Sequence, residues 1–204
     1  MRQHSLFYII IILFVLLFSL PALYAQTPTP IPLERKIFSQ EADLSLAFPK
    51  DWVNLFDEEE KSLILATSEG ALLRFQDPRQ PYRPGDFVLQ ILQVEPSFLG
   101  MFEMQVGVDY TYEELVGLLF DWRILTSSPN DLAQDLGAGE IELASRRRVG
   151  LLFYETPTQE GFIIGYGDTQ TLIVAVGQAG RGHLARHQDV ALAILATVDY
   201  SLGE

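Results

Sequence analysis

His183 and His187 stand four residues apart, the spacing that sets two imidazoles on one face of a helix, as two ligands of one metal ion must be. Leu184 follows the first of them where an H-E-x-x-H zinc protease carries glutamate, so that hydrolytic chemistry lacks its base. Just upstream, Gly177, Gly180 and Gly182 form G-x-x-G-x-G between an apolar run and a predicted helix. Glycine amides near a helix start are where a phosphate would sit. The order is not the G-x-G-x-x-G of a dinucleotide fold, and too little chain follows for another βαβ unit with its ribose-binding acid. The sequence contains no G-x-x-x-x-G-K-[ST] phosphate loop and no G-x-S-x-G nucleophile elbow. Small-ligand or metal binding at His183 and His187, hydrolytic or not, is therefore an alternative reading. No residue is assigned to catalysis and no cofactor is implied.

Two charged runs carry less. The acids at 57–60 lack the alternating spacing, central glycine and terminal glutamate of an EF-hand, and read as a solvated hairpin loop. Arg146, Arg147 and Arg148 open a predicted strand, where neighbours alternate faces, so they do not make one phosphate-binding surface.

The elements that must position these residues come in a clear order. Residues 161–166 read as a strand, 167–168 as a turn and 171–177 as a second strand. The run 171–176 is apolar at both parities, which places it at the centre of a sheet covered on both faces. The glycine corner, a helix over 183–196 and a last strand over 197–202 follow. Upstream, residues 37–38 open the domain, and Leu44, Leu46 and Phe48 share one face of a half-buried strand. Residues 62–66 and 71–75 read as a hairpin about the turn 67–70. The proline-bearing segment 76–86 is a loop and 87–94 a strand. Thr111 and Glu114 have capping-box spacing, and Leu115, Leu118, Leu119 and Trp122 continue a helix to about 124. Residues 140–143 and 147–156 read as strands. The whole is α+β, an antiparallel sheet flanked by helices.

The chain has 204 residues, no cysteine and a formal net charge of −13. That suffices for one domain with a sizeable core, and excludes disulfides and thiolate metal sites. The acidic balance argues against nucleic acid as a partner. Residues 1–25 have the order of a secretory signal peptide, a short basic start, the apolar run 6–20 and a small residue before Gln26, or else of a membrane anchor. Residues 26–35 read as a proline-rich tether and 36–204 as a single domain. The expected location is extracytoplasmic, with membrane contact only through a retained N-terminal segment.

From Leu44 to Trp52 (LSLAFPKDW) the chain resembles the strand, proline and tryptophan opening of PsbP-like proteins, here with Phe48 and Pro49 adjacent and Trp52 three residues on. The order of elements is similar, and residues 193–198 (AILATV) resemble that family's closing segment. The resemblance spans residue 36 to the end. It implies an α/β/α sandwich and a role without catalysis, as in extrinsic photosystem subunits, secreted bacterial proteins and a small-GTPase-binding nuclear factor. No binding residue carries over from it. The function expected is protein interaction or assembly with another envelope or extracellular protein. Tyr82 in the proline-rich loop and the apolar Phe98, Met101 and Phe102 are the candidate contacts.

Overall fold

The computed structural model describes residues 32–39, 44–59, 61–77, 79–94, 111–126, 133–167 and 172–199; for 37, 39 and 122–126 it gives the backbone alone. The chain divides into two units, 1–31 and 32–204, and all described residues belong to the second. The leader and residues 26–31 of the tether lie outside the described residues.

Among the described residues nine strands and three helices follow one another: β1 (Leu33–Ser39), β2 (Leu44–Pro49), β3 (Val53–Asp57), β4 (Ser62–Ala66), α1 (Glu69–Gln76), β5 (Phe87–Val94), α2 (Tyr112–Thr126), β6 (Gln134–Glu142), β7 (Arg148–Glu155), β8 (Gln159–Gly167), β9 (Leu172–Gly180), a 3-10 turn (Leu184–Arg186) and α3 (Gln188–Ala196). Strands β3 to β9 form one antiparallel sheet in the order β3-β4-β5-β9-β8-β7-β6, and β1 pairs with β2 apart from it. As the two-parity apolar run requires, β9 is the middle strand and is buried along its whole length.

Strand parity sorts the core into two layers. On one face Leu63, Leu65, Leu89, Phe162 and Ile173 pack with Leu44, Leu46 and Phe48 of β2 and with Ala191, Ile194 and Leu195 of α3. On the other, Leu152, Ile163, Val174 and Val176 receive Leu115, Val116, Leu119 and Phe120 of α2. Toward the β3 side, Ala66 and Val88 receive Ala71 of α1. The fold is α+β, an antiparallel sheet with helices on both faces.

Helix α2 begins as the capping box demands. The Thr111 amide donates to Glu114 Oε2 (2.8 Å) and the Glu114 amide to Thr111 Oγ1 (3.2 Å). The Thr111 amide and hydroxyl hold the Glu114 carboxyl below its ordinary value. The helix lies close to the sheet because Gly150 and Gly165, directly paired across β7 and β8, leave it a bare seat.

Several elements depart from the sequence reading. The expected hairpin of 62–66 with 71–75 is instead a strand followed by a helix. Ser68 caps α1 by accepting from the Ala71 amide (3.1 Å), and β4 finds its second partner in β5. Gly177 and Gly180 are paired residues of β9, so the corner begins only at Arg181 and Gly182. The helix expected over 183–196 is divided: the 3-10 turn ends at His187, where α3 begins. Strand β6 starts six residues earlier than expected, because backbone pairing with β7 carries an exposed, glycine-bearing stretch that no apolar pattern marks. Strand β1 takes in Leu33, Glu34 and Arg35, placed in the tether by composition, since Leu33 packs on the core and Arg35 reaches Asp199 (2.8 Å). Strand β2 is buried on both faces rather than one, because the end of α3 closes over it: the Ala47 amide donates to Thr197 Oγ1 (2.8 Å). Of the last strand expected over 197–202 the described residues reach only to Asp199, which bridges to Ser45; the remainder lies outside them. The turn pair at 167–168 extends beyond the described residues.

Candidate functional site

Chemistry-bearing residues gather at the end of the sheet where β5 begins and β9 ends. His183 precedes the 3-10 turn and His187 follows it. The His187 ring stacks on Phe87, with centroids 5.1 Å apart and planes 15° from parallel, and Phe87 in turn meets Trp52 (5.8 Å) and Phe162 (6.3 Å). Burial above all, then the positive charges of Arg186 and His183, holds the His187 pKa below the ordinary 6.5. His183 Nδ1 and His187 Nε2 are both buried with no hydrogen-bond partner. Among the described residues no His, Cys, Asp or Glu joins them in a group of three that could hold a metal ion.

Tyr82 meets this corner from the opposite side. A Cβ placed on Gly180 would stand 3.3 Å from Tyr82 Cβ and 3.7 Å from His183 Cδ2, so both side chains rest against the same glycine. The Tyr82 hydroxyl donates to Gln178 Oε1 (3.4 Å), and Gln178 Nε2 donates to the Tyr154 hydroxyl (3.0 Å). Tyr154 reaches Gln178 because the residue between them in the sheet is Gly161, over which the tyrosine ring lies. On the opposite face the Phe162 ring lies over Gly177 in the same way. These glycines are seats for aromatic rings, not a phosphate cradle.

The loop bearing Tyr82 is exposed yet held at both ends. Arg74 of α1 donates twice to Asp86, from Nε (2.6 Å) and from a terminal nitrogen (2.7 Å), and the Arg83 amide donates to the same carboxylate (2.6 Å). The side chains of the pair are 12% and 7% exposed. Burial pushes the Asp86 carboxyl up, but the Arg74 bonds and the Arg83 amide outweigh it and leave the group below its ordinary value. Asp77 at the other end accepts from the Arg79 amide (3.1 Å) and from Gln80 Nε2 (3.0 Å). Arg79, Gln80, Pro81, Arg83 and Pro84 face solvent.

Tyr82 packs beside Leu72 and Phe75 on the small α1 core, together with Val53 and Ile64 of the sheet. Two of the most exposed large apolar side chains border that core, Leu73 of α1 (61%) and Leu55 of β3 (42%), which pairs with Ile64. Sequence reasoning singled out Tyr82 but not Leu55 or Leu73; Ser68 was the overlooked signal for α1. Phe98, Met101 and Phe102 lie outside the described residues. The arginine run disperses. Arg146 sits in a turn at φ 63°, Arg147 covers the Tyr166 ring (4.9 Å) and donates to the Val198 carbonyl (3.3 Å), and Arg148 pairs with Glu140.

No family model matches this chain, and no curated protein matches it. Among solved structures it is similar to the solution structure of cyanobacterial PsbP (CyanoP) from Synechocystis sp. PCC 6803, with TM-score 0.56 and 10% identity over 86% of this chain and 96% of that one. A crystal structure from Bacteroides thetaiotaomicron VPI-5482 gives TM-score 0.37 and 13% identity, over 83% of this chain and 48% of that one. LpqN of Mycobacterium tuberculosis, involved in cell envelope biogenesis, gives 0.42 and 12%, over 83% and 92%. The fold is PsbP-like. At 10% identity the likeness is one of fold and transfers no residue.

Proposed function

We propose that this chain is an extracytoplasmic, non-catalytic docking domain that assembles with another protein of the envelope or extracellular space through the face around α1. The observation that carries the reading is the exposure of Leu73 and Leu55 beside a loop that is both solvent-facing and locked by the Arg74–Asp86 pair. An apolar centre with a polar rim is the usual make-up of a protein interface. A loop ordered in advance avoids much of the entropy cost of binding. The extracytoplasmic placement rests on the leader-like segment 1–25.

The test is chemical cross-linking of the full chain in its native envelope, comparing the natural sequence with Leu73→Glu plus Tyr82→Ala and with Leu136→Glu. Leu136 is 54% exposed at the far edge of the sheet and serves as control. The same cross-linked species should persist in the control and vanish in the double variant. Equal cross-linking in all three would refute the docking face.

The two partnerless imidazole nitrogens favour a second reading, small-ligand or metal binding at His183 and His187. Calorimetric titration with zinc ion separates the two: heat abolished by His183→Ala would establish it, and no heat would dismiss it for that ion.

A further inference from the structure

The two edges of the large sheet are not alike. The β6 edge is guarded. Its register with β7 shifts between Asp135 and Gly137, Gly137 takes φ 126°, and Asp135, Glu140 and Glu142 line the strand. A bulge and charges are what keep an edge from pairing with other chains. The β3 edge has neither device within its five residues, VNLFD, apart from the final aspartate. Its register with β4 runs unbroken from Val53 opposite Ala66 to Asp57 opposite Ser62. Among the described residues no strand pairs with its outer side.

The hydrogen bonds show which groups that edge offers. The Thr67 amide donates to the Phe87 carbonyl (3.0 Å) and the Gln93 amide to the Lys61 carbonyl (3.2 Å), so odd-numbered residues of β4 turn their backbone toward β5. The even-numbered residues therefore face β3 and bond to Val53, Leu55 and Asp57. The amides and carbonyls of Asn54 and Phe56 are left pointing outward. Leu55, 42% exposed, stands between them on the α1 side of the sheet.

We propose that β3 is extended by a strand from a partner protein, an apolar segment pairing antiparallel with Asn54 and Phe56 and carrying basic residues at its N-terminal end. This rests on the docking reading and deepens it by naming the partner's chemistry. Strand addition to an open edge takes its affinity from main-chain hydrogen bonds and its specificity from alternate side chains. Leu55 calls for an apolar neighbour. The exposed Glu58 and Glu59, just past the end of β3, call for a positive charge there. An antiparallel partner brings its N-terminal end to that point. Charge also decides against a second copy as the occupant. Pairing β3 with itself about Leu55 would set Asp51 of each copy, with Lys50 beside it, toward the acidic turn of the other, so a second copy brings no net positive charge there, on chains of net charge −13.

The test uses eight-residue synthetic peptides alternating valine with threonine, with two lysines or two glutamates at the N-terminal end, followed by amide NMR on the full chain. The lysine peptide should shift the Asn54 and Phe56 amides and bind at least about tenfold tighter than the glutamate peptide, the difference shrinking with salt. Asn54→Pro removes one outward amide without touching the bonds to β4 and should abolish binding; an unchanged spectrum elsewhere shows that it folds. Glu58→Lys with Glu59→Lys, which leaves the strand intact, should reverse the peptide preference. No shift at Asn54 and Phe56, or shifts confined to β6, would overturn the proposal. Protection of those two amides without peptide, growing with protein concentration, would overturn it in favour of a second copy. These outcomes do not depend on Leu73 or Tyr82, so the docking face and the open edge can fail separately.

Discussion

Gly150→Ala adds one methyl group where β7 passes beneath the first turn of α2. An ideal Cβ there stands 2.6 Å from the carbonyl carbon of Tyr112 and 2.9 Å from Val116 Cγ1. The Tyr112 carbonyl oxygen stands nearer still. Carbon atoms rest at about 3.5 Å or more, so the helix must lift by at least about 0.9 Å at Tyr112. Two bonds resist the movement: the Tyr112 amide donates to Glu140 Oε1 (3.0 Å) and its hydroxyl to the Gly167 carbonyl (3.3 Å). Overfilling a packed core costs about 1–3 kcal/mol, and a backbone obstacle cannot rotate aside, so the upper end, about 3 kcal/mol, is expected. In a domain of this size that lowers Tm by roughly 6–12 °C. The internal control is Gly139→Ala on β6, where nothing lies within 4 Å of the added carbon. There the smaller entropy of the unfolded chain should leave stability unchanged or raised by up to about 1 kcal/mol. Urea unfolding followed by tryptophan fluorescence, with calorimetry for Tm, measures both. If the two variants agree within about 0.5 kcal/mol, α2 is not seated on Gly150 and the account of that layer is wrong.

Replacing Asp86 by Asn leaves Arg74 without its counter-charge and should speed tryptic cleavage after Arg79 by on the order of tenfold, Arg83 being shielded by Pro84. Because the folded Asp86 pKa lies below the ordinary 3.8, its contribution is complete above that value and lost as pH falls through the folded one. The hydrogen-exchange protection factor of the Arg83 amide, which donates to Asp86, should therefore hold well above pH 3.8 and fall only below it; loss at higher pH would contradict the anchoring role. Tyr154→Phe takes the acceptor from the buried Gln178 and should cost about 1–2 kcal/mol in urea unfolding. Tyr82→Phe, whose bond is longer at 3.4 Å, should cost less, and a reversed order would be evidence against the described network. Ser68→Ala should cost about 1 kcal/mol by removing the α1 cap, whereas no loss would mean that packing alone holds that helix.

Much of the architecture was legible without coordinates wherever a signal is local. Residues 171–176 are apolar at both parities, a pattern that suits only a strand covered on both faces, and β9 is the central strand. The reciprocal bonds of Thr111 and Glu114 lie within four residues, so α2 could be placed from spacing alone. The PsbP-like opening from Leu44 to Trp52 pointed to the sheet architecture that the similarity to CyanoP shows.

Other features have their cause elsewhere in the chain. Residues 71–75 are apolar enough for strand or helix, and it is β5, the partner that β4 takes instead, that leaves them to form α1. Gly150, Gly161 and Gly177 look alike in the sequence; what each accommodates, a helix turn, a tyrosine and a phenylalanine, is set by residues 7 to 38 positions away. Strand β6 has little apolar pattern to announce it and exists through pairing with β7. Tyr82 and His183, a hundred residues apart, meet on Gly180 only because β5 and β9 are neighbours. The open edge at β3 belongs to strand order alone. Composition and periodicity report which face of an element is buried, because burial follows from each residue's own hydropathy. Which element lies against which, and which edge is left unpaired, follows from the pairing of distant segments, and that the tertiary structure decided.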